Sequence, residues 1–398
     1  MFKSLQSQSF MRDPVPVLDE MRRKGPLVQA RMPMIGKVWF TTTQAAAAQV
    51  LKDGERFTVT KKDGKPVGLS WWMPRSLKLL ASNMLATDNP DHQRLRGLVD
   101  QAFHRREIMN LGEGIRHNAE ALSVELLARN RTTDLISGFA RPFPLAVICE
   151  LLGLPQDDRP KFTQWASGLT RVTGMLSFLF IILKLKPFVG YIESRISLAP
   201  EDGGEGLIKE LVELKASGED ISNDELVAMV FLLLIAGHET TTHLISGGLL
   251  ALFQHPEQLD RLKSDWSHLD LAVEEILRFV SPVMSTKPRF VREDCEIEGV
   301  SLPAGDVIMP LLIAANYDPD VFENPEKFDI SRKPNRHMEF GSGMHFCLGH
   351  QLARLELKQA LQTLLTDYPD LRLAIPEAEI EWNARFGLRS LKTLPVAR

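Results

Sequence analysis

The sequence predicts a mainly α-helical fold with a small β portion, and three observations carry that expectation. The first is one very long helical pattern. Ser222 and Glu225 make a Ser-x-x-Glu capping box, apolar residues continue to His255, and Pro256 stops the run. At the standard rise this is a helix of about 45–50 Å. Around Leu232–Ala236 it is apolar on every side, so its middle is expected to cross the interior. The second observation is residues 283–313, which read as short strands with turns at Glu298-Gly299 and Pro303-Ala304-Gly305. The third is that no internal repeat, low-complexity segment or linker divides the chain. A single domain over residues 1–398 is expected.

The other elements follow in order. Residues 26–41 alternate apolar and polar about a turn at 34–37, as a β-hairpin does, and Ala-rich residues 42–51 read as a helix. Residues 60–85 are irregular, with Gly64, Pro66, Gly68 and Pro74 around Trp71 and Trp72. Residues 90–152 are helical in pattern, Pro155 and Pro160 punctuate the chain, and 198–206 form a polar loop. One helix is expected over 257–280, ending at Ser281-Pro282. An amphipathic run follows from Gln351 to Leu364, and 376–398 look like a terminal hairpin.

With 44% hydrophobic and 25% charged residues and a net charge of −4, the composition is that of a soluble globular protein. No basic stripe points to nucleic acid. The three cysteines, Cys149, Cys295 and Cys347, are too few and too scattered for a disulfide framework and fit a reducing compartment. The N-terminal stretch has no apolar signal-peptide core, and the apolar run Met175–Leu183 is too short to span a bilayer, which needs about 20 residues. A cytoplasmic protein without a membrane anchor is expected.

Chemistry concentrates in Phe340-Gly341-Ser342-Gly343-Met344-His345-Phe346-Cys347-Leu348-Gly349. A cysteine shortly before a helix meets free backbone N–H groups and the positive end of the helix dipole, which favour its thiolate. Such a thiolate is a metal ligand or a nucleophile. Zinc would want three or four ligands at known spacing, and covalent haem attachment would want C-x-x-C-H; neither pattern is present. A second anomaly is Gly237-His238-Glu239-Thr240-Thr241, a glycine, an acid and hydroxyls in the most apolar part of the long helix. A threonine bonding back to the helix, or a glutamate paired with a buried cation, would also account for it. Glu275 and Arg278 are an i, i+3 ion pair. His92 and Arg96 share a face of the helix that opens at Asp88-Asn89-Pro90-Asp91, where two cationic donors suit a carboxylate or phosphate.

Together these residues resemble the cytochrome P-450 superfamily of haem-thiolate monooxygenases, soluble bacterial type. The cysteine loop agrees with F-G-x-G-x-H-x-C-x-G at every fixed position. Ala236, Gly237, Glu239 and Thr240 match A-G-x-E-T, and Glu275 with Arg278 matches E-x-x-R. Residues 315–319 look like A-N-x-D-P, residues 328–332 like F-D-x-x-R, and residues 88–96 like D-x-P-x-H-x-x-x-R. The matches keep family order over residues 88–354.

The resemblance implies a P-450 fold with haem b (iron protoporphyrin IX) sandwiched between the long central helix and the cysteine-bearing loop. Cys347 would be the iron's thiolate ligand, with Phe340, Gly341, Gly349, Ala236 and Gly237 against the cofactor. His92, Arg96, Arg289 and His345 would hold its propionates, with His337 as an auxiliary. Glu275, Arg278 and Arg332 would form a structural triad bracing the loop. Glu239 and Thr240 would deliver protons to bound O2; the superfamily's fatty-acid peroxygenases carry Arg-Pro there instead. Electrons would come from a separate ferredoxin and ferredoxin reductase, docking near Arg105, Arg106, Arg354 and Lys358. The substrate pocket would draw on Trp71, Trp72, Met84, Leu85, Phe180, Leu233, Val283, Met284 and Phe386, with Met175–Leu183 either an access lid or a packing face. That lining predicts a lipophilic substrate such as a terpenoid, steroid, fatty acyl compound or polyketide, hydroxylated or epoxidised by a monomeric enzyme. A peroxide-driven or rearranging haem-thiolate enzyme and a non-catalytic haem protein are the alternatives.

Overall fold

The structure, a computed structural model, describes residues 2–33, 35–61, 75, 78–79, 83–106, 111–126, 132–158, 161–162, 165, 175–201 and 205–398, with side chains undescribed at 104–106 and 175–184. The described chain divides into two compact units that interleave in sequence. One comprises Met1–Val59, Ala119–Ala140 and Thr240–Arg398; the other comprises Thr60–Asn118 and Arg141–Glu239. Two of the four crossings between them fall inside helices, Gly112–Leu126 and the long helix Asn223–Gln254.

All the described strands belong to the first unit. β1 (Leu27–Met32) and β2 (Gly36–Thr41) form the predicted hairpin, with Leu27 opposite Thr41 and Met32 opposite Gly36. β2 then pairs in parallel with β8 (Val307–Met309), which lies against β5 (Arg289–Val291), and β3 (Phe57–Thr58) closes the far edge. β6 (Cys295–Ile297) and β7 (Val300–Leu302) are a hairpin around Gly299, whose φ of +81° suits glycine. The helix Gln44–Lys52, capped by the Thr43 side chain on the Ala46 N–H, packs Ala46 and Val50 onto this sheet with Leu27, Phe57, Val291, Ile297, Leu302 and Ile308. Its other apolar residues, Ala47 and Leu51, meet Leu312, Ala315 and Met338. That second cluster joins the helix to the segment leading into the cysteine loop.

Three expectations change. Residues 257–280 are not one helix: Pro256–Ser264 ends at Asp265, whose side chain caps Ser267, and a new helix runs Leu269–Val280. The Asp265 carboxylate competes with the helix for a backbone N–H. The 90–152 region breaks into Asp91–Arg106, Gly112–Leu126, β4 (Thr132–Asp134), a π-helical turn at Ile136–Ala140, and Pro142–Leu152. β4 is recruited by β10 (Pro395–Ala397), which also pairs with β9 (Arg372–Leu373), a partnership no local pattern reveals. The terminal hairpin is accordingly shorter than 376–398. It is built on a bridge of Trp382 with Leu391, and the chain beyond it joins the three-stranded sheet.

The second unit is helical wherever it has regular structure among the described residues. Gly153 at φ +77° terminates Pro142–Leu152 and lies against Gly206, where a side chain on either would strike the other's backbone. Arg94 on the Asp91–Arg106 helix pairs with Glu225 at 2.5 Å, tying it to the start of the long helix. The capping box there is formed: Glu225 accepts from the Ser222 N–H at 2.8 Å, and the Glu225 N–H donates to Ser222 Oγ at 3.2 Å.

The long helix has 32 residues and is apolar and long enough to cross a membrane, but 67% of its most apolar window is buried inside the protein. Its C-terminal half packs on Leu269–Val280 through Gly247, where a Cβ would collide with Val280, and Gly248, which faces Ile276. Helix propensity alone would favour alanine over glycine by about 1 kcal/mol. Gly247→Ala is nevertheless expected to destabilise by about 1–2 kcal/mol, because overpacking a full contact exceeds that gain. A urea-unfolding midpoint that rose instead would show that the helices part without cost.

Candidate functional site

Two neighbouring glutamates on the Leu269–Val280 helix organise the cysteine region. Glu275 and Arg278 are both fully buried and pair through two hydrogen bonds, Nε to Oε2 at 2.8 Å and Nη2 to Oε1 at 2.7 Å. Arg332 adds its Nε at 3.1 Å, Asn335 its side-chain amide at 3.0 Å and Asp329 its backbone N–H at 3.0 Å. Arg278 spends its remaining N–H groups on the carbonyls of Asn316, Pro325 and Lys327. The predicted triad is thus assembled. It pins the whole 316–335 segment to one helix.

Glu274 faces a different set. Arg354 meets it bidentately at 2.6 and 2.8 Å, and His337 Nε2 lies 3.0 Å away. Partial burial opposes its charge, but Arg354 and His337 outweigh that and hold the carboxyl at about 2. His337 Nδ1 accepts the Glu339 N–H, so Nε2 carries the proton that Glu274 receives. The Arg354 guanidinium also sits 4.5 Å over the Phe340 ring, a cation–π contact. These contacts correct two expectations. His337 is committed to Glu274 as a brace. Arg354 is likewise paired, as is Lys358, which meets Asp270 at 2.5 Å, so neither is an open cation for a redox partner. Arg105 and Arg106 lie outside the described side chains.

The cysteine loop is shaped by its glycines. Gly341 and Gly343 both sit at φ +70°, and a Cβ on Gly343 would collide with the Leu51 carbonyl oxygen. The Cys347 N–H donates to the Phe340 carbonyl at 2.9 Å, folding the loop on itself, and a short 3-10 turn carries Gly343–His345. The following helix runs His350–Asp367, so Cys347 lies three residues before its first turn. Cys347 is only partly buried and Phe346 is 37% exposed, although both sit between buried segments. The loop therefore presents an open face, with nothing facing Gly341 or Gly349 within 4 Å of an added Cβ.

Just before the loop, Glu339 is a residue that pattern reading missed. It is buried and gathers the Val283 N–H at 2.8 Å, Ser281 Oγ at 3.0 Å and the Asn316 side-chain amide at 3.2 Å. Desolvation pushes its carboxyl up to about 8, although those donors and Arg389 act the other way. Asn316, from the A-N-x-D-P match, also accepts the Met338 N–H at 2.7 Å. A lone glutamate outside any motif carries no signal in sequence; only its four converging neighbours reveal it.

The long helix behaves unlike its prediction at its centre. Burial holds through Leu234, but Ala236 is exposed, and Gly237, Glu239 and Thr240 are only partly buried. A 32-residue interior helix thus has an open face in its middle, at the residues that match A-G-x-E-T. Gly237 also serves packing, since a Cβ there would press on Ile148 at 3.0 Å. His238 turns inward and donates Nδ1–H to the Leu234 carbonyl at 2.8 Å; burial keeps its ring neutral.

The remaining assignments fall as follows. Arg289 is 2% exposed and gives one Nη1–H to the Phe57 carbonyl at 3.1 Å. His345 is partly buried on the loop, His92 is buried, and Arg96 is held 3.2 Å from the Asp100 carboxylate. Val283, Met284 and Phe386 are brought together: Val283 bridges Leu388, and the Met284 N–H donates to the Gly387 carbonyl at 3.0 Å. Phe386 packs on Phe2 and Phe40. Met84 and Leu233 are buried and Leu85 half-buried. Trp71 and Trp72, and the Phe180 side chain, lie outside the described residues.

The donor set suits a metal that arrives already held by a macrocycle. Among the described residues no three His, Cys, Asp or Glu side chains gather as a metal site, so Cys347 would act as a lone protein ligand beside an open loop.

Two outcomes follow from this geometry. Arg278→Met takes from the buried Glu275 charge its fully buried cationic partner, leaving Arg332 and two neutral donors, and is expected to cost about 3–5 kcal/mol in urea unfolding; a loss under 1 kcal/mol would contradict the hub. Glu339 keeps its proton in the folded state up to about pH 8, whereas the unfolded chain releases it near 4.5. Stability therefore falls as pH rises between those values, by about 1.4 kcal/mol per unit at most. Glu339→Gln should flatten that slope between pH 5 and 8, measured by urea midpoints; an unchanged slope would place the proton elsewhere.

Comparison with known proteins agrees with this geometry. The sequence profile of the family described as Cytochrome P450 matches residues 184–372. The polyketide biosynthesis cytochrome P450 PksS of Bacillus subtilis is 37% identical over 98% of this chain and 97% of its own length, and its solved structure superposes with a TM-score of 0.89. The vitamin D(3) 25-hydroxylase of Pseudonocardia autotrophica is 37% identical over 98% of this chain and 95% of its own. The structure of P450BioI in complex with a hexadec-9Z-enoic acid-ligated acyl carrier protein matches at 33% identity and TM-score 0.89, covering 98% of this chain and 100% of that one. The long helix, the ordered motifs and full-length likeness converge: this chain belongs to the cytochrome P450 family and is a P450 monooxygenase with the family's mainly helical fold.

Proposed function

We propose that the chain binds haem b through Cys347 and oxidises a lipophilic substrate with O2 and two electrons supplied by a separate ferredoxin and its reductase. The single observation that carries this is the glycine-shaped loop that presents Cys347 on an open face, ahead of a helix N-terminus. When bound, the haem supplies the O2-binding iron, and thiolate ligation favours O–O cleavage over reversible storage.

The chain's own residues do the rest. The Cys347 N–H bond to Phe340 fixes the loop that carries the thiolate. Arg289 and His345 provide donors for the propionates, and His92 and Arg96 are assigned the same task. Thr240 holds a proton-bearing hydroxyl on the open stretch of the long helix, and Glu239 beside it exchanges protons with solvent. This acid–hydroxyl pair favours O2 with electrons over a peroxide-driven reaction. Apolar residues around Met284 and Phe386 exclude water and favour a lipophilic substrate. PksS belongs to polyketide biosynthesis and P450BioI is seen with an acyl group on a carrier protein, which supports an acyl or polyketide substrate here. With Arg354 and Lys358 paired internally, the docking proposal rests on Arg105 and Arg106, and a cytoplasmic, monomeric, single-domain enzyme completes it.

The reduced, CO-bound protein should show the red-shifted Soret band of thiolate ligation, and Cys347→Ala should abolish it. A band unmoved by that substitution overturns the ligand assignment. Thr240→Ala should leave electron consumption largely intact while product per electron pair falls about ten-fold or more, of the order general acid catalysis contributes. Full coupling in that variant, or equal turnover with peroxide alone, would favour the peroxide-driven alternative.

A further inference from the structure

The cysteine loop is seated on the end of the helix Gln44–Lys52 and on the turn that follows it. At Gly343 the seat is the Leu51 carbonyl. At Met344 it is Gly54: the terminal methyl of Met344 occupies the place that a side chain on Gly54 would take, and the sulfur lies 3.6 Å from that point. The notch is fixed by its own bonds. The Asp53 carboxylate accepts the Arg56 N–H at 2.9 Å, the Phe57 N–H donates to the Asp53 carbonyl at 3.1 Å, and the Arg292 N–H donates to the Arg56 carbonyl at 2.9 Å, which ties the turn to the end of β5. Met344 itself lies in the short turn Gly343–His345. The bond that closes this turn runs from the Phe346 N–H to the Gly343 carbonyl at 3.0 Å, one residue before Cys347.

Among the methionines whose side chains are described, only Met32 and Met344 are not buried. The two differ in what they hold. Met32 ends β1, opposite Gly36 on the hairpin. Met344 joins the proposed ligand loop to its seat through its thioether end. A thioether is apolar and flexible, which suits such a gap, and it becomes polar when it is oxidised to the sulfoxide. The proposed reaction supplies an oxidant: O2 that takes up two electrons and two protons without oxidising substrate leaves as hydrogen peroxide.

We propose that Met344 is an oxidation site whose sulfoxide releases the cysteine loop, so that peroxide formed without product unseats the haem. The proposal rests on reading the Cys347 loop as the haem's seat. The step is one oxygen transfer. The sulfur attacks a peroxide oxygen, the O–O bond breaks, an S–O bond forms and water leaves; sulfur is oxidised by two electrons and the peroxide is reduced by the same two. The new oxygen is a strong acceptor that needs water or a donor, at a notch filled by a methyl group. The sulfoxide end turns out to solvent, and the turn that leads to Phe346 and Cys347 loses its contact with Gly54. Reductases return the sulfoxide to methionine, so the release is reversible.

The test treats the haem-loaded protein with graded hydrogen peroxide and then with methionine sulfoxide reductases. Peptide mass spectrometry shows which methionines gain oxygen, and the rate of haem transfer to apomyoglobin reports the grip of the loop. Met32 and Met344 should be oxidised ahead of the buried methionines, and oxidation should speed haem transfer about ten-fold or more, the scale on which lost supporting contacts weaken metal binding. The reductases should restore the slow rate, which destruction of the haem itself would not allow. Met344→Leu, a swap that conserves volume, should stay slow under the same peroxide, while Met32→Leu should respond as wild type does. Met344→Gln, with a polar chain of similar length, should release haem fast with no oxidant at all. Met344 left unoxidised while Met32 reacts, a Met344→Leu protein as sensitive as wild type, or a Met344→Gln protein as slow as wild type overturns the proposal. The CO-bound spectrum of each protein is recorded first: absence of the thiolate band in untreated wild type counts against the proposed function, whereas its presence with any of those three results counts against Met344 alone.

Discussion

The buried carboxylate of Glu275 is the constraint on which the cysteine region depends. Two charges removed from water are expensive, and their attraction repays that cost only when every remaining donor and acceptor is satisfied. Here the condition is met: Glu275 receives two guanidinium groups, an amide side chain and a backbone N–H, while Arg278 closes on three carbonyls. The result is geometric more than energetic. An irregular segment with few backbone ladders acquires one arrangement, because any slip would strand a buried charge.

From that hub the constraint passes to the ligand loop by two further acids. Glu274 grips Arg354 and His337 on either side of the loop, and Arg354 in turn caps the Phe340 ring. Glu339 joins the loop's first residues to Ser281, Val283 and Asn316. The two carboxylates differ in the expected direction. Glu274 has cationic partners and stays ionised, so its contribution to stability is present above the ordinary glutamate range and is lost as pH falls toward 2. Glu339 has mainly neutral donors in a dry setting and holds its proton. Both tie down chain on the flanks of the cysteine loop, and Glu339 also holds the Val283 segment.

The motifs were legible because they answer to local rules. The capping box at Ser222 and Glu225 formed as spaced, the glycines of the cysteine loop took positive φ, and Glu275, Arg278 and Arg332 met as the resemblance implied. What went unread depends on partners far along the chain. The 257–280 pattern stayed amphipathic across Asp265, so periodicity could not show that a side chain would cap Ser267 and restart the helix. Arg354 and Lys358 looked like available cations because a charge on a helix face gives no hint of Glu274 or Asp270 opposite. Glu339 was silent for the same reason: it belongs to no spacing rule, and its meaning lies in the Ser281, Val283 and Asn316 donors around it.

The sequence by itself determined the family, and its motifs single out the residues proposed as ligand (Cys347) and as acid–hydroxyl pair (Glu239 and Thr240), since ordered motifs of fixed residue types leave little freedom once the backbone follows them. Tertiary structure alone decided which charges are paired inside the protein. That distinction is a matter of burial and of distance across the fold, and Coulomb interactions between groups tens or hundreds of residues apart leave no periodic trace in the order of the amino acids.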